Sequence, residues 1–441
     1  MTRLNPTEKQ VLRLGSPEAI ADAFPRLNRH LVRGRWLASS NRYGGDGIAR
    51  IHDDVCKPAR QVDSSALAQY VAASTVRHVG DGWSYLGTSL QAACRGEANH
   101  SLHLAYYASL HAALAILASQ GVAVLNREHF SLSSEGQAKL VSRRLGTHQM
   151  AWLALEHWGA RLKSGETLGR MIVPGGISLA TWLGAGFGGS PWKQIGSRWF
   201  GAWDLDLKRF ATDRDLRNAA SYRPDGLDAK VPTADDTAAF VLDMWTALQP
   251  SSYSPFDQLD RHLLRRAIRA SYDQTTGDHA FGDGYVRVVD KILSEIGAPP
   301  SNPTWREFLL RTEAASDLAL LQYAADRGRG PAHFGVVSRA VLLLRIATGI
   351  AADVATASAV PPASFEFWWL RLLRDRGLYD GDSRPLNVLD LWLGPEESMR
   401  SLAEWRGSPT PRTYARLNSE SASNVASLAG FERVVAWGLR F

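Results

Sequence analysis

A chain of 441 residues that is 45% hydrophobic and 21% charged has the make-up of a folded globular protein, which excludes intrinsic disorder. Its net charge of +6 and pI near 9.3 are compatible with a polyanionic partner without demanding one. Two cysteines, Cys56 and Cys94, exclude a disulfide framework and paired-cysteine metal spacing, and suit a reducing, cytoplasmic setting.

Residues 1–64 read as a lead-in of short helix and loops. The first residues carry charge and a proline where a secretory leader needs an apolar run. Ser16-Pro17-Glu18 is a helix start, with a capping hydroxyl followed by proline at the first helical position. Helical periodicity begins near Ser64 and runs to a turn expected at Gly80-Asp81-Gly82, with a second helical piece over 83–93. The run 99–121 follows, bounded by Gly96 and Gly121. Leu102, Tyr106, Leu110, Ala113 and Leu117 form one apolar stripe, and Tyr107, Leu114 and Ala118 a second beside it. A helix apolar on several sides is buried among others, so this is the expected centre of the fold.

Residues 122–125 read as a connector or lone strand and 126–134 as loop. A helix starting near Thr147 is expected to carry Trp152, Leu155, Trp158 and Leu162 on one face. In the glycine-rich stretch 174–191, Gly184, Gly186 and Gly189 match the dinucleotide spacing. No strand–helix alternation surrounds them, so an inter-helix loop is read there. Thr212 and Asp215 resemble a capping box, opening a helix that Pro224 discourages from continuing. Polar residues 225–233 are the expected linker, and helices are expected near 234–248, 256–272, 285–296, 304–325, 333–359, 365–376 and 395–405. Serine-rich 408–427 and a last helix at 431–437 complete the chain. The apolar stretch 334–360 contains Arg339, Arg345 and Asp353, costly inside a bilayer, and is read as buried in protein. The expected fold is therefore all-α, with two helical bundles at 65–224 and 234–441.

Arg217-Asn218-Ala219-Ala220-Ser221-Tyr222, together with Tyr106-Tyr107-Ala108-Ser109-Leu110-His111-Ala112, resembles the HEPN superfamily of helical bundles over residues 65–224. The resemblance implies metal-independent RNA cleavage, with Arg and His of two protomers meeting at a dimer interface, in a prokaryotic defence or stress response. Carried over, Arg217, Asn218 and Tyr222 form the site. Tyr222 stands at the histidine position, and a phenol with a pKa near 10 is a poor base where an imidazole near 6.5 serves. Binding therefore survives the exchange better than cleavage.

Arg261, Arg265 and Arg269, at four-residue steps, make a candidate phosphate-tracking edge, or a solvated face paired with Asp257 and Asp260. Arg339 and Arg345 each need a buried partner, either a carboxylate such as Asp353 or Asp317, or a bound anion. Arg95–His100 and Arg143–His148 share the family's spacing. His100 and His103 are three apart, but no acid on their helix offers a third ligand, so no metal or cofactor is expected. Two functions stay open: an RNA-interacting protein that can form a homodimer, and a non-enzymatic helical scaffold for a partner protein. No membrane contact is expected.

Overall fold

A computed structural model describes residues 3–57, 61–188, 199–222, 231–277, 279–280, 282–297, 304–312, 317–325, 330–378, 385 and 388–439. The all-α expectation holds: helices dominate, and among the described residues there is one small three-stranded sheet. In chain order the helices are α1 (Pro6–Leu12), α2 (Pro17–Leu31), α3 (Gly47–Cys56), α4 (Ser64–Cys94), α5 (Ala98–Ser119), α6 (Thr147–Gly159), α7 (Leu162–Met171) and α8 (Leu179–Phe187). They continue with α9 (Trp199–Ala202), α10 (Arg209–Tyr222), α11 (Ala234–Ala247), α12 (Asp257–Thr276), α13 (Asp283–Ile296), α14 (Thr304–Leu310) and α15 (Ala319–Ala325). The last are α16 (Ala332–Ala357), α17 (Glu366–Asp375), α18 (Val388–Gly407), α19 (Tyr414–Glu420), α20 (Ala422–Leu428) and α21 (Glu432–Gly438).

The run expected at the centre is there. α5 ends at the left-handed Gly121 and packs along α4 on one side and α16 on another. Ala105, Ala108, Ala112 and Ala115 are all buried, and their small side chains let neighbouring helices approach. The turn expected at Gly80-Asp81-Gly82 is absent, and α4 runs through it unbroken. Both glycines are used for close packing instead. A Cβ on Gly80 would lie 2.5 Å from Trp368, and one on Gly82 would lie 2.6 Å from Leu344. Trp83 Nε1 donates to Thr348 Oγ1 at 2.9 Å, and Ser89 Oγ donates to the Ser101 carbonyl at 2.7 Å. These bonds tie α4 to α16 and to α5.

α16, 26 residues long, spans about 39 Å at the helical rise. It and α5 are long and apolar enough to cross a bilayer, but 94% and 78% of their most apolar windows lie inside the protein. Residues from both sides of the expected linker share one buried core, running from Ala19 on α2 to Leu439 after α21. Of that linker, 225–230 lie outside the described residues.

Residues 126–134, expected as loop, contribute a strand. β1 (Val122–Ala123), β2 (His129–Leu132) and β3 (Ala138–Ser142) form an antiparallel meander, with Phe130 opposite Ala123 and Leu140. All four β2 residues are buried, and His129 and Ser131 alternate with Phe130 and Leu132, but four residues are too short a run for that alternation to announce a strand. Expected helix 304–325 is instead two, α14 and α15. The helix placed after Thr212 begins at Arg209, so Thr212 is not its cap. Leu162 leaves the α6 face and opens α7, 61% exposed.

Candidate nucleic-acid site

Helix α10 lays Phe210, Asp213 and Arg217 inward at steps of three and four. Phe210 stacks on Trp152 of α6 with centroids 4.6 Å apart, which anchors the helix. The inward turn then carries the Arg217 guanidinium over the α5 aromatics, 5.1 Å from the Tyr106 ring centre and 5.4 Å from that of Tyr107. Arg217 is 7% exposed, its Nε has no hydrogen-bond partner, and no described carboxylate forms an ion pair with it.

Two imidazoles stand around this cation. His148, in the first turn of α6, has Nδ1 2.8 Å from the Tyr106 hydroxyl, which accepts from Trp152 Nε1 at 3.1 Å. With the indole donating to its oxygen, the phenol is free to give its own proton to His148 Nδ1, an arrangement that leaves the imidazole proton on Nε2. His103 of α5 has Nδ1 2.7 Å from Ser221 Oγ and packs on Tyr107, centroids 5.1 Å apart. Burial lowers the pKa of His148, and the charges of Arg217 and Arg214 lower it further. His103 is lowered by burial, Arg217 and His100. Both are therefore largely neutral at pH 7. Burial drives the Tyr106 phenol up to about 12, keeping it protonated.

Arg217→Met keeps the aliphatic stem and removes the charge, so it is expected to raise the His148 and His103 pKa values. Histidine titration by NMR checks this, and unchanged midpoints would place Arg217 electrically remote from both rings.

The remaining sequence candidates are placed differently. Asn218 is exposed and Tyr222 is 76% exposed, so neither shares the inward face with Arg217. Five residues on a helix turn Tyr222 well away from Arg217, and the expected three-residue site is not brought together. Arg143 does not meet His148; it donates to Glu128 Oε1 at 3.0 Å and to Cys56 Sγ at 3.1 Å. His100 pairs with Glu97 at 3.2 Å.

Arg261, Arg265 and Arg269 are no open edge. Arg265 is 1% exposed and ion-paired with Asp317, and the other two are partly buried. Arg261 binds Asp257 at 2.8 Å and lies 4.6 Å from the Trp305 ring centre. With His262, Phe308 and Arg311 these two residues line a cavity of about 390 Å³. α12 packs this edge inward because Leu264, Ala267 and Ile268 share its buried sector.

Arg339 and Arg345 are internal ion pairs, but with neither of the carboxylates expected. Arg339 holds Asp213 through bonds of 2.9 and 2.6 Å, and Arg345 holds Asp260 through bonds of 2.8 and 2.7 Å. Asp353 serves Arg170 instead, and Asp317 serves Arg265 and Arg266.

Sequence reasoning picked out Arg217 but did not join it to His148 and His103. These three lie on three different helices, and no spacing in the chain links them. No family model, curated protein or solved structure matches the chain.

Proposed function

We propose that this protein binds single-stranded RNA, with a backbone phosphate held by Arg217 and by the Nε2–H of His148. The observation that carries the reading is a guanidinium buried to 7% with no carboxylate partner among the described residues. A buried cation without an anion is costly, and a phosphate oxygen would relieve it with charge-assisted hydrogen bonds. Tyr106 and Tyr107 lie under the cation and hold it in place. The HEPN resemblance supports the same class of ligand, and with it a cytoplasmic setting, a homodimer and a defence or stress-response role.

The site also has groups suited to acid–base work. His103, partly exposed and neutral, is the kind of base that accepts a 2′-OH proton, and Arg217 is the kind of cation that steadies the phosphorane charge. Tyr222 is not needed for either role.

The test is binding and turnover of labelled single-stranded RNA with chelator present, comparing wild type with Arg217→Ala and His148→Ala. Arg217→Ala is expected to weaken binding about 10- to 100-fold, the worth of a charged hydrogen bond. Wild-type protein that leaves the RNA unbound and intact, or binding indifferent to Arg217 in a folded variant, would remove the reading. The partner-protein scaffold would then stand.

A further inference from the structure

The α5 face that carries His103 and Tyr107 continues one turn on to His111, where a second set of groups converges. His78 and Asp81, one turn apart on α4, meet His111. The Nδ1 atoms of His78 and His111 lie 3.1 Å apart, and Asp81 Oδ2 lies 3.7 Å from His111 Nδ1. One ligand atom from each residue falls within 4.8 Å of the other two. We propose that His78, Asp81 and His111 form a binding site for a divalent transition-metal ion of the zinc type.

Zinc–ligand bonds of about 2.0–2.1 Å in tetrahedral array put neighbouring ligand atoms about 3.3 Å apart, close to both spacings seen here. Hydrogen bonding alone leaves the arrangement incomplete. One imidazole can donate to the other, but the Asp81 carboxylate makes no hydrogen bond among the described residues although it faces them. Two nitrogens and one oxygen favour zinc and its neighbours over magnesium or calcium, which prefer oxygen ligands throughout. Asp81 keeps a half-exposed side chain, so a fourth position opens to solvent, as in metal sites that bind a substrate or water.

The neighbours favour this cluster over its closest rival. His111 packs on Tyr85, centroids 5.1 Å apart, and Tyr85 stacks on Tyr107, which holds the ring in place. His52, Cys56 and Glu128 also converge, but Arg143 already fills that place, bonded to both Cys56 and Glu128. At the His78 cluster Arg77 lies near enough to act on His78 and Asp81, so retention of the ion falls mainly to the two imidazoles. The site is independent of the phosphate reading: one can fail while the other holds.

The experiment is titration of chelator-treated full-length protein with Zn²⁺ by calorimetry, and with Co²⁺ by visible absorption. One equivalent is expected, with the strong d–d bands of a low-coordinate cobalt site. His111→Gln and His78→Gln should each weaken binding about 100-fold or more, and Asp81→Asn by less. His100→Gln and Cys56→Ser should bind as wild type does. Circular dichroism and thermal unfolding establish that each variant is folded; Asp81→Asn, at a half-exposed position, keeps the test available should a histidine variant fail to fold. No stoichiometric binding, or binding unchanged by both Asp81→Asn and the histidine variants, overturns the proposal. So does binding that depends on Cys56 or His100.

Discussion

Asp260→Ala is expected to destabilise the protein by about 3–5 kcal/mol, the usual result of stranding one half of a buried ion pair. Asp260 is fully buried, and it accepts from Arg345 Nε and Nη2 and from the Val173 N–H at 2.8 Å. Its removal leaves Arg345, 2% exposed, with the Met171 carbonyl at 2.8 Å and the Phe256 ring as its remaining neighbours. Urea unfolding measures the change. Replacing both partners by apolar residues, Asp260→Leu with Arg345→Met, is expected to restore much of the loss, because no charge is then stranded. A single-variant loss below about 1 kcal/mol would mean the pair behaves as an exposed one does. Asp213→Ala should act in the same way on Arg339. It should also loosen α10, and Arg217 with it, because the Asp213–Arg339 bonds attach that helix to α16.

Stability should also fall steeply on mild acidification. Burial pushes His262 and His333 down to about 4 from an ordinary 6.5, with Arg265 adding to the effect at His262. The unfolded chain therefore takes up these protons first. The stabilising contribution is complete above about pH 6.5 and is lost as pH falls through about 4, up to roughly 3 kcal/mol for each histidine. Urea midpoints at pH 7 and pH 4.5 measure the slope, and His333→Leu should flatten it. His333 suits that substitution because its Nδ1 has no hydrogen-bond partner, so no bond of that atom is lost. An equal slope in wild type and His333→Leu would place the acid sensitivity elsewhere.

How much could be read beforehand differs from element to element. A cap announced the start of α2, where Ser16 accepts from the Ala19 N–H, but the box read at Thr212 and Asp215 falls inside α10, and the structure places one at Thr233 and Asp236 instead. Glycine was ambiguous. Gly121 ends α5, yet Gly80 and Gly82 sit within a 31-residue helix because Trp368 and Leu344 need the space. Reading Gly80-Asp81-Gly82 as a turn also hid the metal candidate, since His78 and Asp81 share a helix face only if the helix continues. The carboxylate comes from α4 and serves His111, not His100 or His103. Arg217 was legible as a candidate and its imidazole partners were not.

The sequence by itself determined the helical class, the identity of the central helix and the need for Arg339 and Arg345 to find buried partners, because periodicity, capping and the cost of a buried charge are local properties. Only the tertiary structure decided which partners they found. Asp213 and Asp260 lie 126 and 85 residues from their arginines. It also decided that the Arg217 charge acts on His148 and His103 while Tyr222 faces solvent. Helix packing brings together side chains from distant turns, and hydrophobic burial, which drives that packing, has no direction of its own. The polar contacts that give the chain its candidate chemistry are therefore set by how the helices dock, and no single helix encodes them.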